Sequence, residues 1–225
     1  MTRFRAAIFD FGGVITESPF DAFNRLEEAR GMPRDTVRRI NATNPDANAW
    51  AKIERAAVSR TEFDALFAAE AAALGFELRG ADVLACLSGA LRPGMVAALD
   101  TIRAAGLLLG CITNNVAPKD DSRENPGMAA DSGSALRLAP VFARFDHVIE
   151  SARAGVRKPD PRIYAMMCEA LQVSPEACVY LDDLGINCKP AAAMGMAAIK
   201  VTGEAQALRD LSAILGLDLM TECSS

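Results

Sequence analysis

The chain has 225 residues, a formal net charge of −5 and a hydrophobic content of 51%, so it is long enough to bury a large core. The acidic balance argues against binding to nucleic acid or to an anionic membrane. Six cysteines without C-x-x-C spacing and a single histidine argue against a zinc site. Because no apolar run is as long as a membrane span and no signal-peptide cleavage pattern is present, the sequence predicts a cytoplasmic protein.

Segments that are apolar throughout, rather than alternating, are typical of strands buried in a parallel sheet. The sequence has four, at 6–12, 107–115, 147–151 and 178–184, and a fifth candidate strand at 197–201. Helical patterns lie between them, for example at 93–106 and 161–173. This alternation predicts an α/β fold in which right-handed crossovers build a doubly wound parallel sheet.

The alternation is interrupted after the first strand. Residues 17–91 are rich in Ala, Glu and Arg with helical periodicity and show no convincing strand, which predicts a helical cap inserted into the fold. The core domain is then expected to comprise residues 1–16 and 92–225. A polar segment rich in Asp, Ser, Gly and Pro, at 117–135, is predicted to be a long loop.

Carboxylates stand at the ends of two predicted strands. Asp10 ends the first strand, and Asp182 and Asp183 end the fourth. In an open parallel sheet, ligands bind beyond the carboxyl ends of the strands. These three acids should therefore lie close together, and hard oxygen ligands of this kind favour a divalent cation, by default Mg²⁺.

Groups that bind phosphate are predicted at the same edge. Thr113 and Asn114 end the second strand, and Lys158 precedes a predicted helix. A hydroxyl, an amide and a cation suit phosphoryl oxygens. A carboxylate such as Asp10, beside Mg²⁺ and a phosphoryl group, is suited to act as an in-line nucleophile that forms an aspartyl-phosphate.

Four motifs in this order, DFGGV, ITNN, RKPDPRIY and YLDDLGIN, resemble those of the haloacid dehalogenase (HAD) superfamily. The resemblance is to the subfamily I phosphatase branch, which includes the N-terminal domain of soluble epoxide hydrolase and a domain of some acyl-CoA dehydrogenase fusions. It implies a Rossmann-like core, a cap that closes over the site, and hydrolysis of a small phosphorylated metabolite. The sequence gives no indication of the oligomeric state.

The resemblance also implies roles for the acidic residues. Asp10 would be the nucleophile and a Mg²⁺ ligand. The backbone carbonyl of Gly12 and the carboxylate of Asp183 would be further metal ligands, with Asp182 supporting them.

The phosphoryl group would be bound, by the same resemblance, at the turn after the first strand and at two other motifs. Gly12 and Gly13 would contribute from the turn, and Thr113 and Asn114 from the second motif. Lys158 would neutralise the charge on the nucleophile and on the phosphoryl oxygens, so that Lys158 and Thr113 join the nucleophile as catalytic residues.

One expected residue is missing. Most phosphatases of the HAD superfamily have a second Asp, as general acid and base, where this sequence has Gly12, although some members of the branch that the chain resembles have a glycine there. The enzyme could still be a phosphatase, either for substrates whose leaving groups need little protonation or with water, Glu17 or Asp21 in place of that acid. It could instead be a metal-independent 2-haloacid dehalogenase, although the pair Asp182 and Asp183 favours Mg²⁺. A third reading is a non-catalytic protein that binds Mg²⁺ and phosphate.

Overall fold

The core of the protein is a five-stranded parallel sheet in the order β3-β2-β1-β4-β5. The computed structural model describes residues 3–87, 89–115 and 132–220. Each predicted strand is confirmed, although each ends earlier than expected. The strands are β1 Ala6–Phe9, β2 Leu108–Thr113, β3 His147–Glu150, β4 Cys178–Asp182 and β5 Ala197–Lys200.

Helices connect the strands and cover both faces of the sheet, so the predicted α/β fold with a helical region after β1 is confirmed. In the described residues, none of these helices is both long and apolar enough to cross a membrane. Those before β2 are α1 Pro19–Ala29, α2 Thr36–Ala42, α3 Ala49–Ile53, α4 Arg60–Ala73, α5 Gly80–Ala85 and α6 Pro93–Ala104. Those after β2 are α7 Ser132–Phe142, α8 Ser151–Ala154, α9 Pro161–Leu171, α10 Gly185–Ala193 and α11 Glu204–Leu215.

The central strand β1 is buried on both faces, which explains why its sequence is apolar throughout. Side chains alternate across a strand. Ala6 and Ile8 pack in one hydrophobic cluster with residues of α9, whereas Ala7 and Phe9 pack in another with residues of α6 and α11. Two helical layers therefore enclose the sheet, and the polar residues that follow the strands remain at its carboxyl edge.

Strand register brings the ends of β1 and β4 together. Phe9 pairs with Leu181, and the next amide, that of Asp10, donates to the Leu181 carbonyl at 2.8 Å. Phe9 also pairs with Cys111 of β2. Consequently, the residues that follow β1, β2 and β4 meet at one edge.

The five helices after β1 have their own hydrophobic cluster, which includes Phe23, Phe63 and Phe67. The chain enters and leaves this region at one place, where Thr16 and Leu91 form an isolated antiparallel bridge. This bridge stands at the predicted limits of the cap. We propose that residues 17–91 form a cap domain on the core of 1–16 and 92–225.

The predicted loop at 117–135 needs one correction. Most of it lies outside the described residues, but its last four positions, 132–135, belong to α7. The helix thus begins inside the predicted loop. Its buried residues Leu138 and Val141 pack in the cluster beneath β1, and the helical turn extends back from them into the small polar residues.

Substitution of Gly80 should destabilise the helical region, because α4 and α5 approach closely there. A Cβ at Gly80 would lie 2.8 Å from the Cα of Asp64 and 2.8 Å from the Phe63 ring. We expect Gly80→Ala to lower the free energy of unfolding by about 1–3 kcal/mol, as overpacking does. Gly185→Ala is the control, since its Cβ would meet Lys200 at an ordinary 3.7 Å. Equal denaturation midpoints for the two variants would contradict the close packing.

Candidate active site

Asp10 stands at the carboxyl end of the central strand. A tight turn follows it, in which the Phe11 carbonyl accepts from the amides of Ile15 (2.9 Å) and Thr16 (3.1 Å). The Asp10 side chain is buried, and its Oδ1 accepts from the Phe11 amide at 2.7 Å. The turn thus holds one carboxylate at the edge where three strands converge.

Lys158 supplies the cation of this site. Its side chain is 1% exposed, and its Nζ lies 2.8 Å from Asp10 Oδ1 and 2.8 Å from Asp182 Oδ2. Burial alone would lower the pKa of Lys158, but these two carboxylates raise it above its ordinary value. Lys158 therefore stays protonated and links the ends of β1 and β4.

Asp182 is fully buried and has donors on both carboxylate oxygens. Besides Lys158, the Tyr180 hydroxyl donates to Oδ2 at 2.6 Å and the Leu184 amide donates to Oδ1 at 2.8 Å. Asn187 Nδ2 lies 3.0 Å from Oδ1 and 3.1 Å from Oδ2. This set of donors fixes the Asp182 carboxylate, which in turn orients the lysine.

Asp183 is the more accessible member of the acidic pair. Its Oδ2 accepts from the Ser18 hydroxyl at 3.1 Å. The turn after β1 lies against it, since a Cβ at Gly13 would be 2.2 Å from that same Oδ2. Gly13 also has a φ of 80°, a conformation that glycine adopts without strain. A glycine at this position therefore lets Asp183 approach the end of β1.

The three carboxylates together can hold a cation. Asp10, Asp182 and Asp183 each offer an oxygen within 4.8 Å of the others. Burial raises the pKa of Asp10 well above its ordinary value despite Lys158, and burial with the charge of Asp182 raises the pKa of Asp183 to about 6. Three acids facing one ammonium leave uncompensated negative charge, so the donor set fits a hard divalent ion such as Mg²⁺.

Thr113 and Asn114 lie at the end of β2, beside the lysine. Thr113 is buried. Asn114 contacts the backbone of Lys158, because its Oδ1 accepts from the Lys158 amide at 2.8 Å and its Nδ2 donates to the Lys158 carbonyl at 3.0 Å. Asn114 thereby fixes the loop that carries the cation.

The position of the missing acid is occupied by Gly12, in the turn directly after Phe11. The two acids considered as substitutes, Glu17 and Asp21, are both exposed. In the described part of the chain, neither side chain is hydrogen-bonded to the acidic cluster. Ser18, the residue after Glu17, does contact the cluster, because its hydroxyl donates to Asp183.

Sequence reasoning missed two residues of the site. Tyr180 lies two positions before Asp182 on the same side of β4, so the two-residue period of a strand could have identified it. Ser18 lies just after the turn, where no periodic pattern applies, and only the fold brings it to Asp183.

Curated relatives resemble the chain over nearly its whole length. It is 30% identical to acyl-CoA dehydrogenase family member 10 and to bifunctional epoxide hydrolase 2, both of Mus musculus, over 96% and 94% of its length. The chain spans only 20% and 39% of those two proteins. It is 31% identical to phosphatase MT3486 of Mycobacterium tuberculosis (strain CDC 1551 / Oshkosh), over 93% of the chain and 94% of that protein.

Solved structures at lower identity share the fold. A HAD family enzyme of Bacteroides thetaiotaomicron, in complex with magnesium and inorganic phosphate, matches 89% of the chain and 96% of its own, with a TM-score of 0.58 and 16% identity. L-2-haloacid dehalogenase of Xanthobacter autotrophicus matches 96% and 86%, with a TM-score of 0.60 and 20% identity. The family profile of haloacid dehalogenase-like hydrolases matches residues 4–195. The chain belongs to this family of hydrolases.

Proposed function

We propose that the protein is a Mg²⁺-dependent phosphatase that hydrolyses a small phosphate monoester through a phospho-aspartate on Asp10. The observation that carries this proposal is the buried contact of Lys158 with Asp10 and Asp182, next to the third carboxylate of Asp183. A relative that covers nearly the same length is named a phosphatase. This arrangement suits the transfer of a charged phosphoryl group to a carboxylate.

The proposed reaction has two steps, and Asp10 is the nucleophile of the first. In that step, a carboxylate oxygen attacks phosphorus, the bond from phosphorus to the ester oxygen breaks, and the departing oxygen takes a proton from water to leave as the alcohol. In the second, water attacks the phosphorus of the acyl phosphate, which releases inorganic phosphate and restores the carboxylate. The Phe11 amide and Lys158 hold Asp10 in one orientation through Oδ1, which favours in-line attack.

Lys158 stabilises the charge on the phosphoryl oxygens in the transition state. Asp182 and Asn114 fix this lysine from its two ends, at Nζ and at the backbone. Thr113, at the same edge of the sheet, is proposed to donate its hydroxyl to the phosphoryl group, together with backbone groups of Gly12 and Gly13.

The metal would be held by the carboxylates of Asp10 and Asp183 and by the carbonyl of Gly12, with Asp182 as the supporting acid. When bound, Mg²⁺ supplies positive charge that offsets the carboxylates and the phosphoryl oxygens. Ser18 orients Asp183 for this role through its hydroxyl. A metal-independent dehalogenase would not require this excess of carboxylates, so the geometry favours the phosphatase.

Removal of the nucleophile should abolish turnover. We expect Asp10→Asn to reduce phosphate release to below about a thousandth of the wild-type rate, as loss of a nucleophile does in other hydrolases, and EDTA to stop it as well. The measurement is phosphate release from a panel of alkyl and aryl phosphates. Asp100→Asn, an exposed acid paired with Arg144, is the control. Release of halide from a 2-haloacid in the presence of EDTA, without phosphate release, would favour the dehalogenase. The absence of both activities would favour the non-catalytic protein that binds Mg²⁺ and phosphate.

Restoring the second acid should extend the range of leaving groups. The backbone at Gly12 lacks the positive φ of Gly13, so a side chain there brings none of the strain of a left-handed backbone. We expect Gly12→Asp to raise kcat for alkyl phosphates by up to about 10²–10⁴-fold, the usual value of general acid catalysis, with a smaller gain for aryl phosphates. Gly12→Asn is the control, because its side chain has the same size as that of Asp but cannot act as a general acid. An equal gain with both variants, or with both substrate classes, would contradict this role.

Gly13→Ala should weaken metal binding, because the added Cβ would displace Asp183 and strain the turn. We expect the affinity for Mg²⁺, measured by titration calorimetry, to fall by about 10–100-fold, as it does when the surroundings of a metal ligand are changed. Gly203→Ala is the control, since a Cβ there would meet nothing within 4 Å. An unchanged affinity in Gly13→Ala, equal to that of the control, would contradict the role of this close approach in placing Asp183 for the metal.

A further inference from the structure

Glu54 is a buried acid that lies outside the site described above. It follows α3 in the proposed cap domain and is 7% exposed. Burial raises its pKa, and the charge of Arg157 opposes that rise. A buried carboxylate is costly unless a nearby cation compensates its charge. For Glu54 that cation is the guanidinium of Arg157.

The side chain of Glu54 is linked to the loop that carries Lys158. Its Oε2 lies 2.9 Å from Arg157 Nε, and Arg157 directly precedes the lysine. The same guanidinium contacts the backbone on both sides of the junction, since Nε donates to the Lys158 carbonyl at 3.3 Å and Nη1 donates to the Pro45 carbonyl at 3.2 Å. Arg157 therefore joins the helical region to the peptide of Lys158.

The backbone of Glu54 provides a second route to the same lysine. Its carbonyl accepts from the Ser151 hydroxyl at 2.7 Å, and that hydroxyl oxygen accepts from the Asn115 amide at 3.0 Å. Asn115 follows Asn114, whose side chain bonds to both the amide and the carbonyl of Lys158. Both routes from Glu54 thus end on the backbone of one residue.

Glu54 is also fixed within the helical region. The indole of Trp50 donates to Glu54 Oε1 at 2.9 Å. The Trp50 ring packs edge-on against Phe23 and Phe63, with centroids 6.1 Å and 5.6 Å away. A displacement of the helical region would therefore move Glu54 relative to the core and stretch both routes to Lys158.

We propose that Glu54 and Arg157 are positioning residues that couple the seating of the cap on the core to the placement of Lys158. Neither touches the reacting atoms, and both act through the lysine backbone. Because this role belongs to the same site, it rests on the proposed function. Lys158 then takes its catalytic position when residues 17–91 pack against the core. Catalysis therefore occurs when the site is closed and excludes water.

A double-mutant cycle on turnover is the first test. Glu54→Gln, Arg157→Gln and the double variant are compared with Arg162→Gln, which removes an exposed guanidinium from a nearby pair with Asp160. We expect each single variant of the pair to lower kcat about tenfold with little change in KM, and the double variant to lose no more than the worse single, since coupled residues are not additive. Arg162→Gln should match the wild type.

The second test does not depend on turnover. The Lys158 amide is bonded to Asn114 Oδ1 at 2.8 Å, so its hydrogen exchange reports how firmly the loop is held. We expect Glu54→Gln, a change in the cap, to speed exchange at Lys158 by about tenfold, and Arg162→Gln to leave it unchanged. The far-ultraviolet circular dichroism of each variant, compared with that of the wild type, shows whether the helices remain folded.

The outcomes separate the two proposals. An unchanged exchange rate at Lys158 in Glu54→Gln overturns the coupling, whatever happens to kcat. Unchanged kcat in both single variants, or losses that multiply in the double variant, also overturns it. If the wild-type protein releases no phosphate, the proposed function fails by itself, and the exchange measurement still decides whether the cap holds the lysine.

Discussion

The ammonium group of Lys158, almost completely buried 2.8 Å from both Asp10 and Asp182, constrains the rest of the site. Removing a charge from water costs several kcal/mol unless partners with good geometry replace the solvent. The partners here come from different strands, so the pairing is formed only when β1 and β4 lie side by side. Tyr180 and Asn187 then donate further hydrogen bonds to the Asp182 carboxylate. Much of the polar structure at this edge serves to keep one cation in place.

The same constraint explains why the site is suited to a further cation. One ammonium cannot balance three nearby carboxylates, and the raised pKa values of Asp10 and Asp183 reflect both burial and repulsion by neighbouring carboxylates. Asp183 is the member that is neither paired with the lysine nor fully buried. Its hydroxyl partner, Ser18, lies at the start of the helical region, and its close neighbour, Gly13, lies in the turn after β1. Asp183, the proposed metal ligand, is therefore held where the sheet meets the helical region after β1.

The sequence predicted the elements whose signal is local. Fully apolar segments identified the strands, and the acids at their ends marked Asp10, Asp182 and Asp183 because parallel strands bring their carboxyl ends to one edge. The start of α7 was missed, since small polar residues at a helix terminus resemble a loop. Ser18 and the pair of Glu54 with Arg157 could not be predicted. About a hundred residues separate the members of that pair, and no period or motif relates a cap helix to the loop before α9.

The glycine at position 12 also affects the charge of the cluster. A fourth carboxylate beside Asp10 would add repulsion to a site that already has three, and that repulsion would raise its pKa. A carboxyl group with a raised pKa stays protonated near neutral pH, which is the state a general acid requires. A second acid would thus add catalysis at an electrostatic cost. In this chain the glycine removes both, so under the proposed function the alcohol would leave with help from water or from a group outside the turn, and substrates whose leaving group needs little protonation would react best.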